Sequence, residues 1–412
     1  MRRRIVVALT LGVVLLVASA PAASAHGERA QEAFLKMRTV GWVNVEFTGG
    51  EVRQGESGAD EIFIGQGEEI TITGITTLLS TWPGTLGGGN PNTGFISVIA
   101  PGPVVTIEEK TVNGVSAPHR ISIEKGGIYE FDMTIAGRTP GRWHVHPSFS
   151  VKGAGTLLGP GRWINVEPVD GYTNPLTLAS GEVINLENYQ LSFVWIYSLL
   201  TFFIGMGWMF YWTLRKRTVQ NLAVTSQIPL NTDGMSVGLI LKEDHRNMNW
   251  FLIVTLALTV GMFIYQAVAW PDKLPQQVIE FAPPAFEQAG AVPVAIGIQA
   301  AYDANTTTVT MEAEVTNTGN RDLVLAEFTT STLTFANSEV EPATLEEAEL
   351  VVAPGGTVGA GETVTLSLTL ADPRWEGDKL IPTTESQLEI VGLLVFDDGT
   401  FAEVHAPLKL EF

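Results

Sequence analysis

NYQLSFVWIYSLLTFFIGMGWMFYWTL, residues 188–214, runs its whole length without an Asp, Glu, Lys or Arg. Water does not tolerate so long an uncharged aromatic and aliphatic surface, and a helix needs about 20 such residues to cross a bilayer. A second stretch of the same kind, NMNWFLIVTLALTVGMFIYQAVAW, occupies 247–270. Two transmembrane helices are therefore predicted, over 188–214 and 249–270. Trp208, Tyr211 and Trp212 close the first and Trp250 and Trp270 bracket the second, as side chains that prefer the headgroup region do. The intervening loop, 215–248, opens with Arg215-Lys216-Arg217 and closes near Lys242 and Arg246, which predicts a cytoplasmic loop by the positive-inside rule. Both flanking regions then lie on the external side. Neither apolar run contains an ionisable residue, histidine included, so no metal site or proton relay is expected within them.

The amino terminus agrees with that topology. Arg2-Arg3-Arg4, an apolar run from Ile5 to Val17, and Ala23-Ser24-Ala25 have the order of a secretory signal peptide over 1–25, with the mature chain beginning at His26. From there to Glu187 a short helical pattern, Glu28–Met37, gives way to β-rich runs at Trp42–Phe47, Glu61–Thr73, Phe95–Ile107, Ile121–Ile135, Trp143–Val151 and Arg162–Val166, separated by Gly and Pro turns. Beyond the second span a Pro-containing linker, 271–284, leads to further strand patterns across 285–412, from Val292–Ala300 to Glu403–Leu410. The reading is a mainly β protein: an external β domain over 26–187, a helix pair, and a second external β domain.

Composition narrows the chemistry. The 412 residues include no cysteine, which excludes disulfides, thiolate zinc, iron-sulfur clusters and a blue-copper centre. A formal charge of −20 argues against nucleic acid as a partner. Any metal must be held by nitrogen or oxygen.

Six histidines are present. His144-Val145-His146 falls in a strand pattern, where residues two apart project from one face and aim two imidazoles at one point. His26, once the signal is removed, offers its α-amino nitrogen as well as its ring. Together these are four nitrogen donors, a set that suits tetragonal copper(II); three imidazoles alone would equally suit zinc with an open position, and the amine tips the balance to copper. His119, His245 and His405 are isolated and carry no expectation of ligation.

The stretches HGERAQEAFLKMRTVGW (26–42), PGRWHVHPSFSVKGAGTLLGPGRWINVEP (140–168), NPLTLASGEVINLENY (174–189), LAEFTTSTLTF (325–335) and GLLVFDD (392–398) resemble the B subunit of the copper membrane monooxygenases, the family of particulate methane, ammonia and short-chain hydrocarbon monooxygenases. The resemblance implies two cupredoxin-like β-sandwich domains joined by two transmembrane helices. It also implies a complex with integral membrane A and C subunits, as a trimer of heterotrimers, in which an isolated B subunit is inactive. By the same resemblance His26, His144 and His146 match the copper ligands, and Glu28 matches an acidic residue close by, able to support a ligand by hydrogen bonding. Glu403 falls where methane-oxidising relatives place a glutamine near the copper. Gly41 and Thr77 stand where some relatives carry a second pair of histidines, so one copper site is expected and not two. That departure leans the expected substrate toward a short-chain hydrocarbon, with ammonia, or a stand-alone role in envelope copper binding and delivery, as the alternatives.

Overall fold

The structure is a computed structural model that describes residues 39–55, 60–84, 89–117, 119–178, 180–214, 242–270, 281–303, 305–306, 308–330, 334–340, 348–371 and 389–411. The helical pattern at Glu28–Met37, with His26 and Glu28 themselves, lies outside the described residues. The chain divides into two compact units, Met1–Asp170 with Val278–Phe412, and Gly171–Gln277.

The first unit opens with β1 (Val40–Thr48), β2 (Glu51–Gln54), β3 (Asp60–Gly65), β4 (Glu69–Leu78), β5 (Thr93–Ile99) and β6 (Val105–Val112). It continues with β7 (Val115–Ser116), β8 (Ile121–Ser122), β9 (Ile128–Gly137), β10 (Gly141–Val151), β11 (Gly155–Leu158) and β12 (Arg162–Glu167). One sheet has the order β1-β4-β9-β6-β7; the other runs β2-β3-β12-β10-β5-β8, with β11 paired to β10. Inward residues of the two sheets, among them Trp42, Ile72, Phe131, Val145, Phe149 and Ile164, form one buried core. This is a β-sandwich. Three runs that read as single strands in the sequence are broken in two. The chain reverses between β3 and β4 at Gly67, whose φ of 83° only glycine adopts readily. Pro101 and Pro103 separate β5 from β6, and Lys125-Gly126-Gly127 separates β8 from β9.

The same unit holds β15 (Val294–Asp303), β16 (Thr308–Thr316), β17 (Leu323–Thr329), β18 (Thr334–Asn337), β19 (Ala348–Ala353), β20 (Thr357–Val358), β21 (Thr363–Ala371), β22 (Glu389–Phe396) and β23 (Phe401–Glu411). Their order is β18-β19-β21-β16-β15-β23-β22-β17-β20, and a β17–β18 pairing joins the ladder back on itself around a second apolar core.

The other unit carries the short hairpin of β13 (Pro175–Thr177) and β14 (Val183–Asn185), then α1 (Leu191–Leu214) and α2 (Lys242–Ala269). Both helices are long and apolar enough to cross a membrane. At 1.5 Å per residue α1 is about 36 Å long, against roughly 30 Å of bilayer hydrocarbon. Their apolar side chains face outward, Phe203, Phe263 and Val268 being 66%, 72% and 75% exposed, an area of apolar surface that a monomer in water does not sustain. Rings join the helices at both ends: Phe193 meets Trp270 at 5.0 Å and Trp208 meets Phe251 at 5.0 Å. α2 begins well before the apolar run, because Lys242, Glu243 and Arg246 are good helix formers and Glu243 and Asp244 stand in the favourable first turn. The helix thus includes ionisable residues at this end, and the buried Asp244 accepts a hydrogen bond from the Tyr211 hydroxyl at 2.8 Å.

Candidate metal centre

Strand alternation sends Val145 into the core with no exposure and turns His144 and His146 to the opposite face of β10. There both rings are half-buried, and His144 Nδ1 lies 2.9 Å from His146 Nε2. Their planes stand at 84°, with centroids 4.3 Å apart. Two nitrogens bound at right angles to one ion, each about 2.0–2.1 Å from it, are about 2.9 Å apart. The pair fits shared ligation of a metal through those two atoms.

The turn at 159–161 holds His146. Its Nδ1 is 2.8 Å from the carbonyl oxygen of Gly159, which only accepts, so Nδ1 carries the proton and a neutral ring presents the Nε2 lone pair to His144. His144 Nδ1 then donates to Nε2 in the metal-free chain, and for a cation to be held by a neutral His144 through Nδ1 that proton would shift to Nε2 of the same ring. Gly161 lies so close that a Cβ placed on it would stand 2.5 Å from His146 Nδ1. Gly159 is packed against Trp42 and Pro147, where a Cβ would stand 2.9 Å from each.

The neighbouring strands complete the surroundings. Trp163 of β12 is the direct partner of His144, and their ring centroids are 4.7 Å apart. The guanidinium of Arg142 lies 3.6 Å from the Trp163 ring centroid. Arg142 donates to Glu61 through Nε, at 3.1 and 3.0 Å, and through Nη2, at 2.6 Å, while Asn165 donates to the same carboxylate at 2.7 Å. Glu61 has a side chain only 1% exposed. The H-x-H spacing disclosed the two histidines; Glu61, Trp163, Asn165 and the glycines were not legible as neighbours, although Arg142, two residues before His144, shares its face by the same alternation.

Among the described residues no group of three or more histidine, cysteine, aspartate or glutamate side chains gathers to hold a metal. His144 and His146 are brought together, whereas the third expected ligand, His26, and Glu28 are outside the described residues. The Glu403 carboxylate accepts hydrogen bonds from the backbone N–H of Ser80, at 3.0 Å to each oxygen, and from its hydroxyl at 2.7 Å. Gly41 and Thr77 face each other directly across the β1–β4 ladder, and a Cβ on Gly41 would stand 2.4 Å from the Leu393 side chain. His119 is half-buried, His245 is exposed on α2, and His405 is exposed on β23.

A protein of Methylococcus capsulatus described as particulate methane monooxygenase alpha subunit is 29% identical over 407 residues, covering 95% of this chain and 94% of its own. Among solved structures, the cupredoxin domain of amoB from Nitrosocaldus yellowstonii aligns over 34% of this chain and 99% of its own, at 14% identity and a TM-score of 0.24. A protein of unknown function from Porphyromonas gingivalis covers 89% of this chain and 99% of its own, at 9% identity and a TM-score of 0.19. The family model for the monooxygenase B subunit matches residues 27–409, and the chain belongs to that family.

Proposed function

We propose that this chain is the copper-binding subunit of a membrane monooxygenase complex that uses O2 to hydroxylate a small substrate, of the short-chain hydrocarbon class. One observation supports the metal reading: on one face of β10 the nitrogens of His144 and His146 stand 2.9 Å apart, a hydrogen-bond distance that two neighbouring ligands of one ion also adopt, and the α-amino nitrogen of His26 favours copper as that ion. His26 is the third ligand, contributing ring and α-amino nitrogens after cleavage of 1–25. Copper bound there supplies an ion that exchanges one electron between two oxidation states. The chain's own part is to present neutral imidazoles: Gly159 fixes the tautomer of His146, and β10 fixes the spacing.

Membrane insertion through α1 and α2, with 215–248 cytoplasmic and both β domains external, follows from the lysine and arginine residues of 215–248. The outward apolar faces of both helices support packing against integral membrane subunits as well as lipid.

Electron paramagnetic resonance of the copper-loaded complex tests the ligand set. A type 2 copper(II) signal assigned to this chain is expected to vanish in His144→Ala and in His146→Ala; an unchanged spectrum in either overturns the assignment. Mass spectrometry of the mature chain is expected to find His26 at its terminus, and retention of 1–25 removes the amine ligand. Turnover of the assembled complex on methane, propane, butane and ammonia decides the substrate class.

A further inference from the structure

The two histidines are held by different means. His146 is fixed by its hydrogen bond to Gly159 and by the close backbone of Gly161. His144 instead lies against Trp163, with ring planes inclined by 33°. Rotation about the bond joining an imidazole to its Cβ is soft, with a broad torsional preference, so a neighbouring ring surface decides where its nitrogens point.

Trp163 is itself restrained. The Arg142 guanidinium lies over its ring, and Arg142 is clamped through two of its nitrogens onto Glu61. A carboxylate almost fully buried and bonded to both Arg142 and Asn165 cannot move without stranding a charge. Rigidity therefore passes across three adjacent strands, from Glu61 on β3 through Arg142 on β10 and Trp163 on β12 to the imidazole of His144.

We infer that Trp163 is a positioning residue for His144: backed by the Arg142–Glu61 pair, it sets the plane of the imidazole so that Nδ1 faces Nε2 of His146. The inference rests on the copper reading for its functional meaning, and a metal-independent measurement separates the two.

In the purified complex, Trp163→Leu is expected to weaken copper(II) binding by about 10- to 100-fold, the usual effect of losing a group that orients a ligand. It is also expected to alter the copper hyperfine splitting and, in chelator-treated protein, to speed carbethoxylation of His144 by diethyl pyrocarbonate, read by peptide mass spectrometry. Trp163→Phe, which keeps a ring surface, is expected to restore all three. Wild-type affinity, spectrum and modification rate in Trp163→Leu overturn the inference. If the wild-type complex binds no copper(II) at His144, the copper reading falls and the modification rate alone decides the stack. Should Trp163→Leu not fold, Arg142→Met combined with Glu61→Gln removes the cation over the indole without leaving a buried charge. It is expected to move the same readouts in the same direction, and no movement overturns the inference.

Discussion

The His146 ring has room for its hydrogen bond to Gly159 because residue 161 has no side chain. A methyl group on Gly161 would lie 2.5 Å from Nδ1, and neither the β10 backbone nor the ring can yield by so much while keeping the Gly159 bond. Gly161→Ala is therefore expected to lower copper affinity by about 10- to 100-fold, as loss of a ligand's hydrogen-bonded support does. The half-buried position of His146 leaves the ring a way outward, so the melting temperature is expected to fall only slightly. Copper titration beside thermal unfolding checks both, and wild-type affinity in the variant would show that the ring does not need its present place. At this scale the sequence discloses pairs set by local geometry. His144 and His146 were visible because strand alternation places them on one face whatever the rest of the fold. Glu61 was not, since its approach to Arg142 depends on β12 lying parallel to β3 with Asn165 opposite Phe63, a register no local pattern dictates.

Among the elements, β6 shows how one residue reverses a pattern. The β6–β9 register shifts between Ile107 and Glu109, and from there the inward phase moves to Lys110 and Val112, leaving Ile107 39% exposed. Lys110 is buried, its ammonium donating to the Ile96 carbonyl at 2.6 Å and standing 3.8 Å from the Phe95 ring centroid. Burial pushes its pKa down to about 8. Below that pH the folded and unfolded chains both carry the charge and the folded state bears the full cost of burying it. Between about 8 and the ordinary lysine value near 10.4 the folded state loses its proton first, so stability rises with pH, by at most about 1.4 kcal/mol per unit. Lys110→Met is expected to raise the melting temperature at pH 7 and to abolish that rise between pH 8 and 10. Thermal unfolding across this range checks it, and identical pH profiles for variant and wild type would contradict it. Alternation carried on from Val105 and Ile107 reads Lys110 as outward, and the bulge inverts it. The long helices were plain in the sequence for the opposite reason: an uncharged run over 20 residues long is by itself the pattern of a helix able to cross a bilayer.

At the scale of the whole molecule, the two β domains are one compact unit, held by contacts that are distant in sequence. Val43 and Leu79 of the first pack with Val391, Leu393, Val395 and Phe401 of the second in a buried apolar cluster. Residues 281–288 strap the pair together: Phe281 accepts from the Ser122 N–H at 2.8 Å, Pro284 from Asn113 Nδ2 at 2.7 Å, and Gln288 exchanges two hydrogen bonds with Phe401. The absence of a side chain at Gly41 lets Leu393 reach across, so a position that in some relatives is expected to carry histidine serves here as a seat for the other domain. Glu403 adds the polar contact, its carboxylate held by Ser80 through both the backbone N–H and the hydroxyl. Hydrogen bonds to a charged group contribute about 1.5–3 kcal/mol, less where water competes, so Glu403→Ala is expected to cost about 1–2 kcal/mol. Hydrogen exchange is expected to quicken at 77–82 and along β22, while the copper(II) spectrum of the site proposed at His144 and His146 is expected to stay as in the wild type. A changed copper spectrum with unaltered exchange at Ser80 would instead assign Glu403 to the metal centre, the role its alignment with relatives implies. Ser80→Ala separates the two readings further, because it removes the hydroxyl bond and leaves the carboxylate, so a domain latch weakens while a group acting on the copper does not.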